Sequence, residues 1–396
     1  MPWIAEPPLP QPRAWLAAAV SAAPAPGSGT WIYAIGGSTS SAEPDPTVVA
    51  YDAQAQSWSP VAALPTPRSG LAAASTPGRV HAVGGSNATS VLATHEIYQP
   101  AANAWSPAKP LPTARDRLAA VTGPDGHVYA LGGVDVVGQA YEPTAVVEAY
   151  DPATDTWHPK APMQTPRAAL AAVTAGGLIY ALGGLTGSGG AGGPVATVET
   201  YNPATDKWQS QAPLPSAALG LAAAVGPDGL IYAIGGNGAD GTSTTSVYSY
   251  DPATPSAGWA PQDPLPTART WLAAVTGPDG LVYAIGGQNW YERSPVDNVF
   301  LDTVEAYAPY GFEQQVLNDL KKMGIVGTLL GGVARGSSGG VVIGKHFIPI
   351  PPRSPVMAFI LGAAAPYLGG AIENPQLGQL IQQLRPDQAG TGIAGP

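Results

Sequence analysis

Arginine recurs five times in this sequence at equivalent places in similar segments, and arginine side chains suit the binding of an anion. Each of these arginines follows a Leu-Pro or similar pair and precedes a run of small residues. They are Arg13, Arg68, Arg115, Arg167 and Arg269. Guanidinium groups brought together attract a carboxylate and bind it through paired hydrogen bonds. The alternative is that each arginine holds its neighbouring blade by donating hydrogen bonds to backbone carbonyls. We favour that structural role, because a position filled in repeat after repeat usually serves the repeat.

A second set of residues with binding chemistry lies where the repeats differ from one another. Two residues beyond the arginine positions stand Trp15, Gly70, Arg117, Ala169, Gly220 and Trp271. The loop 288–302 is the longest of its kind, and it carries Trp290, Tyr291, Glu292 and Arg293. Flat aromatic rings beside charged groups suit a sugar ring or an extended peptide. The tryptophans would equally suit packing of the long loop onto the rest of the fold, and the sequence leaves both interpretations open.

These residues belong to a repeating unit of about fifty residues. A Gly-Gly doublet follows an apolar strand six times, at 36–37, 84–85, 132–133, 183–184, 235–236 and 286–287, with intervals of 48 to 52 residues. In most units a tyrosine follows the doublet, with a tryptophan seven residues later, as in "VEAYDPATDTW" (147–157). A third element, the arginine segment with its small residues, opens each unit.

The three elements resemble the kelch repeat, and the resemblance covers roughly residues 1–309. It implies a β-propeller with one four-stranded blade per repeat. We therefore predict an all-β fold: a six-bladed kelch-type β-propeller, followed by a Gly-rich, partly helical C-terminal extension. The resemblance also implies that the arginines lie near the channel mouth, on the face that carries the loops after the doublets.

The two ends of the repeat region predict how the ring closes. The sixth unit contains "TVEAYAP" (303–309), but no tryptophan follows it. The N-terminal stretch "PWIAEPPLP" aligns instead with "GWAPQDPLP" (258–266), so that Trp3 matches Trp259. We predict that the N-terminal residues supply the outer strand of the last blade and remove an open sheet edge. Trp15 and Trp271 then lie in neighbouring blades.

The pattern changes in residues 310–396, which we predict to be an apolar Gly/Pro-rich extension with short helices. Apolar residues at helical spacing indicate helices in 312–324 and 374–384. The segment 355–372 is uncharged for 18 residues, the lower limit for a membrane span. Pro366 and its glycine pairs favour a buried or partner-facing segment instead. An apolar tail appended to a closed propeller predicts docking onto the propeller or assembly with other chains.

Composition excludes several kinds of chemistry. The chain has no cysteine, a formal net charge of −10 and only six lysines, so we expect neither a thiolate site nor nucleic-acid binding. The segment "GGVVIGKH" (339–346) has His346 where a P-loop needs Ser or Thr, and we interpret it as a glycine-rich linker. The "DPATD" segments are interpreted as turns rather than calcium loops. The five histidines show no ligand spacing, and we predict no metal or cofactor.

Two functions remain after these exclusions. The first is a non-enzymatic binding or assembly module that presents its mouth to a protein or glycan partner. The second is a carbohydrate-active propeller, similar to bacterial kelch-type sialic-acid mutarotases, that binds an acidic sugar at the mouth. We favour the first, because candidates for an acid–base pair near the mouth are few, Glu292 and Arg293 being the nearest. The chain shows no signal peptide, and its composition leaves the compartment open.

Overall fold

The structure is a computed structural model, and it divides the chain into two compact units, residues 1–309 and 310–396. It describes residues 3–24, 29–39, 44–137, 140–187, 192–290 and 299–309, with the backbone alone at 136–137 and 140–141. In the second unit it describes the backbone of 340–343 and 346–349.

Six antiparallel four-stranded sheets, here called blades one to six, make up the first unit. The first three blades, from the innermost strand outwards, are Ala17–Ala22, Thr30–Ile35, Val48–Asp52 and Ser57–Val61; Ala72–Thr76, Arg79–Val83, His95–Gln99 and Ala104–Pro107; and Ala119–Thr122, Val128–Leu131, Val147–Asp151 and Thr156–Lys160. The other three are Ala171–Ala175, Leu178–Leu182, Val198–Asn202 and Lys207–Ser210; Ala222–Val225, Ile231–Ile234, Val247–Tyr250 and Trp259–Pro261; and Ala273–Thr276, Val282–Ile285, Val304–Tyr307 and Trp3–Glu6. The predicted six-bladed all-β propeller is thus confirmed.

The N-terminal strand closes the ring, as the missing tryptophan of the sixth unit predicts. Trp3–Glu6 pairs antiparallel with Val304–Tyr307, and Trp3 lies opposite Tyr307. The innermost strands of neighbouring blades contact one another, including those of blades six and one. These strands are rich in alanine because they converge on the axis, where larger side chains would collide.

A tyrosine–tryptophan pair recurs in the outer half of every blade and joins it to the preceding blade. The ring centroids of each pair lie 5.0 to 5.3 Å apart. The indole N–H of each tryptophan donates to a backbone carbonyl of the preceding blade's chain at 2.8 to 3.0 Å. The six tryptophans are Trp3, Trp58, Trp105, Trp157, Trp208 and Trp259. Trp3 therefore makes the same contacts as the other five, which explains why its position matters for closure.

The glycine doublet is needed where each blade approaches the next one. Gly36 and Gly37 have positive φ values of 59° and 97°. A Cβ on Gly36 would lie 2.8 Å from the backbone oxygen of Arg68 in blade two. The doublet therefore permits a close backbone approach that no other residue would allow.

Smaller elements complete the described structure. Two-stranded ribbons follow three of the doublets and pair Val134–Val137 with Ala140–Pro143, Leu185–Thr186 with Gly193–Pro194, and Gln288–Asn289 with Val299–Phe300. Single 3-10 turns span Pro100–Ala102 and Pro255–Ala257.

The second unit contains one described element, an antiparallel hairpin of Gly340–Ile343 with His346–Pro349. It replaces the glycine-rich linker predicted there. The predicted helices 312–324 and 374–384, and the segment 355–372, lie outside the described residues. In the parts of the chain that the structure covers, no helix has the length and apolar character that a bilayer crossing requires.

Blade two contains a buried histidine pair that the sequence did not reveal as a pair. His81 stands where the other blades have tyrosine, and His95 where they have valine. His81 Nδ1 lies 3.0 Å from His95 Nε2. Thr76 Oγ1 is hydrogen-bonded to His81 Nε2, and the carbonyl of Lys109 is hydrogen-bonded to His95 Nδ1. A single chain of hydrogen bonds with both rings neutral satisfies this geometry. Burial lowers the pKa of His81 to about 3 and that of His95 to about 4.

The histidine pair predicts a loss of stability in mild acid. Below pH 6.5 the unfolded chain binds protons on both histidines, whereas the folded chain does not until pH 4 or lower. Each histidine should then remove about 1.4 kcal/mol of stability per pH unit between these limits. The variant His81→Tyr/His95→Val, which restores the residues of the other blades, should flatten this dependence. Urea unfolding at a series of pH values between 7 and 4.5 measures it.

His158, an exposed histidine outside the buried pair, provides the control. His158→Gln should leave the pH dependence as it is in the wild type. An equally steep loss of stability in the double variant would show that the pair does not cause it.

Candidate binding site at the channel mouth

The channel mouth is built on a closed ring of six backbone hydrogen bonds. Each ring residue donates its N–H to the carbonyl of the ring residue in the preceding blade, over 2.7 to 3.0 Å. In order around the ring, these residues are Trp15, Gly70, Arg117, Ala169, Gly220 and Trp271. They are the same six residues that follow the arginine positions in the sequence. The bond from Trp15 to Trp271 joins blade one to blade six and completes the circle.

All six ring residues have a left-handed backbone, with φ between 54° and 62°. Glycine adopts this conformation freely, whereas tryptophan, arginine and alanine are disfavoured there by about 1 kcal/mol or more. At Gly220 a Cβ would lie 2.6 Å from Thr270 Oγ1 and 3.0 Å from the Trp271 ring, so that position has no room for a side chain. The strain persists at the other positions because each one both donates and accepts a ring hydrogen bond.

The side chains at the mouth form an aromatic patch with one arginine, here called the mouth patch (Trp15, Arg117, Trp271 and Phe300). The rings of Trp15 and Trp271 are 5.8 Å apart between centroids, and Phe300 meets Trp15 edge-on at 5.7 Å. The guanidinium carbon of Arg117 lies 5.7 Å from the centre of the Trp271 ring. The predicted proximity of the two tryptophans is therefore present, and it follows from ring closure.

Arg117 is the charged member of the patch that reaches solvent. Its side chain is 42% exposed, and its Nε lies 3.4 Å from Asp116 Oδ2. Asp116 is buried, and burial raises the pKa of its carboxyl while the Arg117 charge opposes that shift. The free edge of the Arg117 guanidinium remains able to pair with a carboxylate.

The five repeated arginines do not reach the mouth surface. Each is at most 1% exposed and donates to backbone carbonyls of its surroundings. Four of them pair with a glutamate on the third strand of their blade, and Arg13 lies 3.6 Å from Asp45. The four pairs are Arg68 with Glu96, Arg115 with Glu148, Arg167 with Glu199 and Arg269 with Glu305. Burial lowers the pKa of all five guanidinium groups, and the carboxylates oppose that shift. The five arginines therefore have a structural role, but the carbonyls that they bind belong to their own blades, and the expected contact with the neighbouring blade is wrong.

The long loop of blade six is described only in part. The backbone of Trp290 exchanges hydrogen bonds with Ser243 of blade five, over 3.0 and 2.8 Å. Tyr291, Glu292 and Arg293 lie outside the described residues. Phe300, which the sequence analysis did not select, comes from the return strand of this loop. The signal available for it was a single aromatic residue within "NVFLD" (298–302).

The mouth is a shallow site. The cavity inside the ring has a volume of about 90 Å³, and its floor consists of the leucines that follow the ring residues. Pockets that enclose a small organic ligand usually hold 300 Å³ or more. No group of three or more side chains in the described part of the chain is placed to hold a metal ion. The arrangement therefore suits contact with the surface of a larger partner.

Comparison with known proteins identifies the repeats. The family model of the kelch motif matches residues 67–112, 117–164, 166–215 and 218–256. Each match begins just before an innermost strand and continues through the third or the outer strand of one blade, from blade two to blade five. The sequence repeat and the structural repeat therefore coincide.

Several curated proteins share this similarity over part of their length. The chain is 30% identical over 218 residues to kelch-like protein 36 of Bos taurus, a match to 54% of this chain and 34% of that protein. It is 37% identical over 114 residues to kelch-like protein 34 of Homo sapiens, and 38% identical over 90 residues to beta-scruin of Limulus polyphemus. The last two matches cover 26% and 22% of this chain, and 17% and 10% of those proteins. This chain thus spans about a third or less of the relatives' length.

A solved structure agrees in fold. The structure of YjhT superposes with a TM-score of 0.60, covers 76% of this chain and 96% of its own, and is 18% identical in sequence. The four kelch-motif matches coincide with blades two to five of the closed ring, so this chain is a β-propeller that contains kelch repeats.

Proposed function

We propose that this protein is a non-enzymatic binding module that presents the mouth patch to a protein partner. The observation that carries the proposal is the exposed Arg117 guanidinium beside the paired rings of Trp15 and Trp271. Tryptophan and arginine are enriched among the few residues that supply most of the binding energy of protein interfaces. The shallow cavity at the mouth and the similarity to kelch-like proteins support the same proposal.

The patch predicts the chemistry of the peptide that it binds. An extended segment with an apolar or aromatic side chain would cover the tryptophan rings, and an Asp, Glu or C-terminal carboxylate would pair with Arg117. The backbone ring holds the patch in place before binding, which reduces the entropy lost on association.

Selection of a random peptide library on the full chain tests this proposal. Enriched peptides should carry an acidic group near an aromatic or aliphatic residue. Their dissociation constants should rise at least tenfold with Trp271→Ala or Arg117→Ala, since each substitution removes a central contact. Isothermal titration calorimetry measures the change.

Two residues at the opposite end of the blades provide matched controls. Arg79 and Trp31 lie at the starts of second strands, away from the mouth. Arg79→Ala and Trp31→Ala should leave peptide affinity unchanged in protein that remains folded. Peptides that bind the mouth variants as tightly as the wild type would contradict the proposal.

An acidic sugar is the second candidate ligand, and the stacking of Arg117 over the Trp271 ring favours it. A ring face packs on an aromatic side chain, and a sugar carboxylate would pair with the guanidinium. N-acetylneuraminic acid should then raise the melting temperature of the full chain, and Trp271→Ala should abolish the rise. No shift at millimolar sugar would exclude this ligand and leave the protein-binding proposal intact.

Self-assembly through residues 310–396 is the remaining part of the proposal, and the apolar composition of that region supports it. The chain has a mass of 40.0 kDa. Sedimentation equilibrium of the full chain should give a multiple of that mass. A monomer at micromolar concentration would contradict assembly through the second unit.

A further inference from the structure

Blade five lacks the buried arginine that each of the other five blades has before its innermost strand. In blades two, three and six, a threonine and an arginine before the innermost strand both contact a glutamate of the third strand. In blade three, Thr113 lies 3.0 Å and Arg115 2.7 Å from the carboxylate of Glu148. The corresponding residues of blade five are Ser216, Ala218 and Tyr248.

The backbone around Ala218 is the same as around the arginines. Ala218 N donates to Val195 O at 3.3 Å, just as Arg115 N donates to Leu92 O at 3.2 Å. Gly184 N donates to Ala218 O at 2.8 Å, as Gly133 N does to Arg167 O at 2.9 Å. Replacing arginine by alanine has therefore removed a side chain without closing the space around it.

A cavity of about 430 Å³ occupies this space, here called the blade-five cavity. Its buried floor includes Ala218, Ala233 and Gly235, and its exposed rim includes Ser216 and Asp240. It is several times larger than the cavity at the mouth and falls within the range of small-ligand pockets.

The walls carry the backbone acceptors that bind guanidinium in the other blades. Arg115 donates to the carbonyls of Gly132 and Val146 at 2.8 and 2.9 Å, and more weakly to that of Ala130. The residues at the corresponding positions of blade five are Gly235, Ser246 and Ala233, and all three line the cavity. None of the side chains that the structure describes donates to their carbonyls.

The remaining walls suit a planar cation. Tyr248 stands at the glutamate position, and its hydroxyl lies 3.3 Å from that of Ser216. Its aromatic ring offers a face for stacking a guanidinium group. Asp240 supplies a carboxylate at the rim, where it also accepts hydrogen bonds from Thr242. Blade one shows that a loop carboxylate can replace the glutamate, since Val49 stands at the glutamate position there and Asp45 lies near Arg13 instead.

We propose that the blade-five cavity is a binding site for an alkylguanidinium group. The ligand is either a free small guanidine, such as arginine or agmatine, or an arginine side chain of a partner protein. In both cases the guanidinium donates to the carbonyls of Gly235 and Ser246, stacks near Tyr248 and lies close to the charge of Asp240. This site is separate from the mouth patch, for which we propose a ligand that carries a carboxylate.

Calorimetric titration of the full chain with ethylguanidinium chloride at millimolar concentration tests the site. Ethylguanidinium should bind saturably, and the neutral analogue N-ethylurea should bind at least tenfold more weakly. The double variant Ala218→Arg/Tyr248→Glu restores the arginine and the glutamate of the other blades. Its affinity for ethylguanidinium should be at least tenfold lower than that of the wild type. Peptide binding at the mouth should be unchanged in this variant.

A milder pair of variants keeps the test decisive if the double variant does not fold. Asp240→Asn at the exposed rim should weaken ethylguanidinium binding several-fold, whereas Asp263→Asn, on the outer side of blade five, should leave it unchanged. The proposal is wrong if ethylguanidinium shows no saturable binding, if N-ethylurea binds equally well, or if Asp240→Asn binds as the wild type does.

Two further ligands distinguish the sources of the guanidinium. Tighter binding of L-arginine than of acetyl-Gly-Arg-Gly-amide would assign the site to a free small molecule, because only the former keeps its charged α-groups. Equal or tighter binding of the peptide would assign it to an arginine side chain of a partner. Either order supports an alkylguanidinium site.

Discussion

The circle of backbone hydrogen bonds around the mouth is the constraint on which the rest of this propeller depends. Every blade contributes one donor and one acceptor to it, and every contributing residue must adopt a left-handed backbone. The bonds involve only main-chain atoms, so the identity of the side chain is free wherever there is room for a Cβ. That freedom is why Trp15, Arg117 and Trp271 can stand at positions that glycine fills in blades two and five. The backbone of the ring is therefore the same in all six blades, whereas the side chains that it carries differ.

A second set of polar contacts, made by the buried arginines, stabilises the blades that carry this ring. The buried arginines bridge the glycine doublet and the third strand, and a carboxylate lies beside each guanidinium group. Leaving one member of such a pair unpartnered in the interior destabilises a protein by several kcal/mol. Blades one and five show two ways to depart from the pattern. Blade one recruits Asp45 from a loop, and blade five loses the arginine and the glutamate together. Neither blade therefore has an arginine or a glutamate at these positions without its partner.

The sequence predicted the features that repeat, because a repeated physical requirement leaves a repeated residue. The doublets, the Tyr–Trp pairs and the missing sixth tryptophan were enough to predict six blades and closure by Trp3. The acid partners of the arginines had a signal too, since glutamate precedes the strand-three tyrosine by two residues at Glu96, Glu148, Glu199 and Glu305, but it was not used. Phe300 and the His81–His95 pair had no such signal. Their contacts depend on how separate segments meet in space, and each occurs once.

The outer strand contributed by the N-terminus also governs the order in which the chain can fold during synthesis. Trp3–Glu6 leaves the ribosome before the other strands of the propeller, yet its partner strand Val304–Tyr307 follows only after five complete blades. Until then Trp3–Glu6 has no partner strand, and the carbonyl of Asp263 that accepts from the Trp3 indole becomes available only after blade five has been made. Blades one to five can form from contacts within and between adjacent repeats, whereas the last one requires the two ends of the propeller to meet. Completion of the ring is therefore a late, non-local step, and a nascent chain interrupted before residue 304 would carry Trp3–Glu6 without its partner strand.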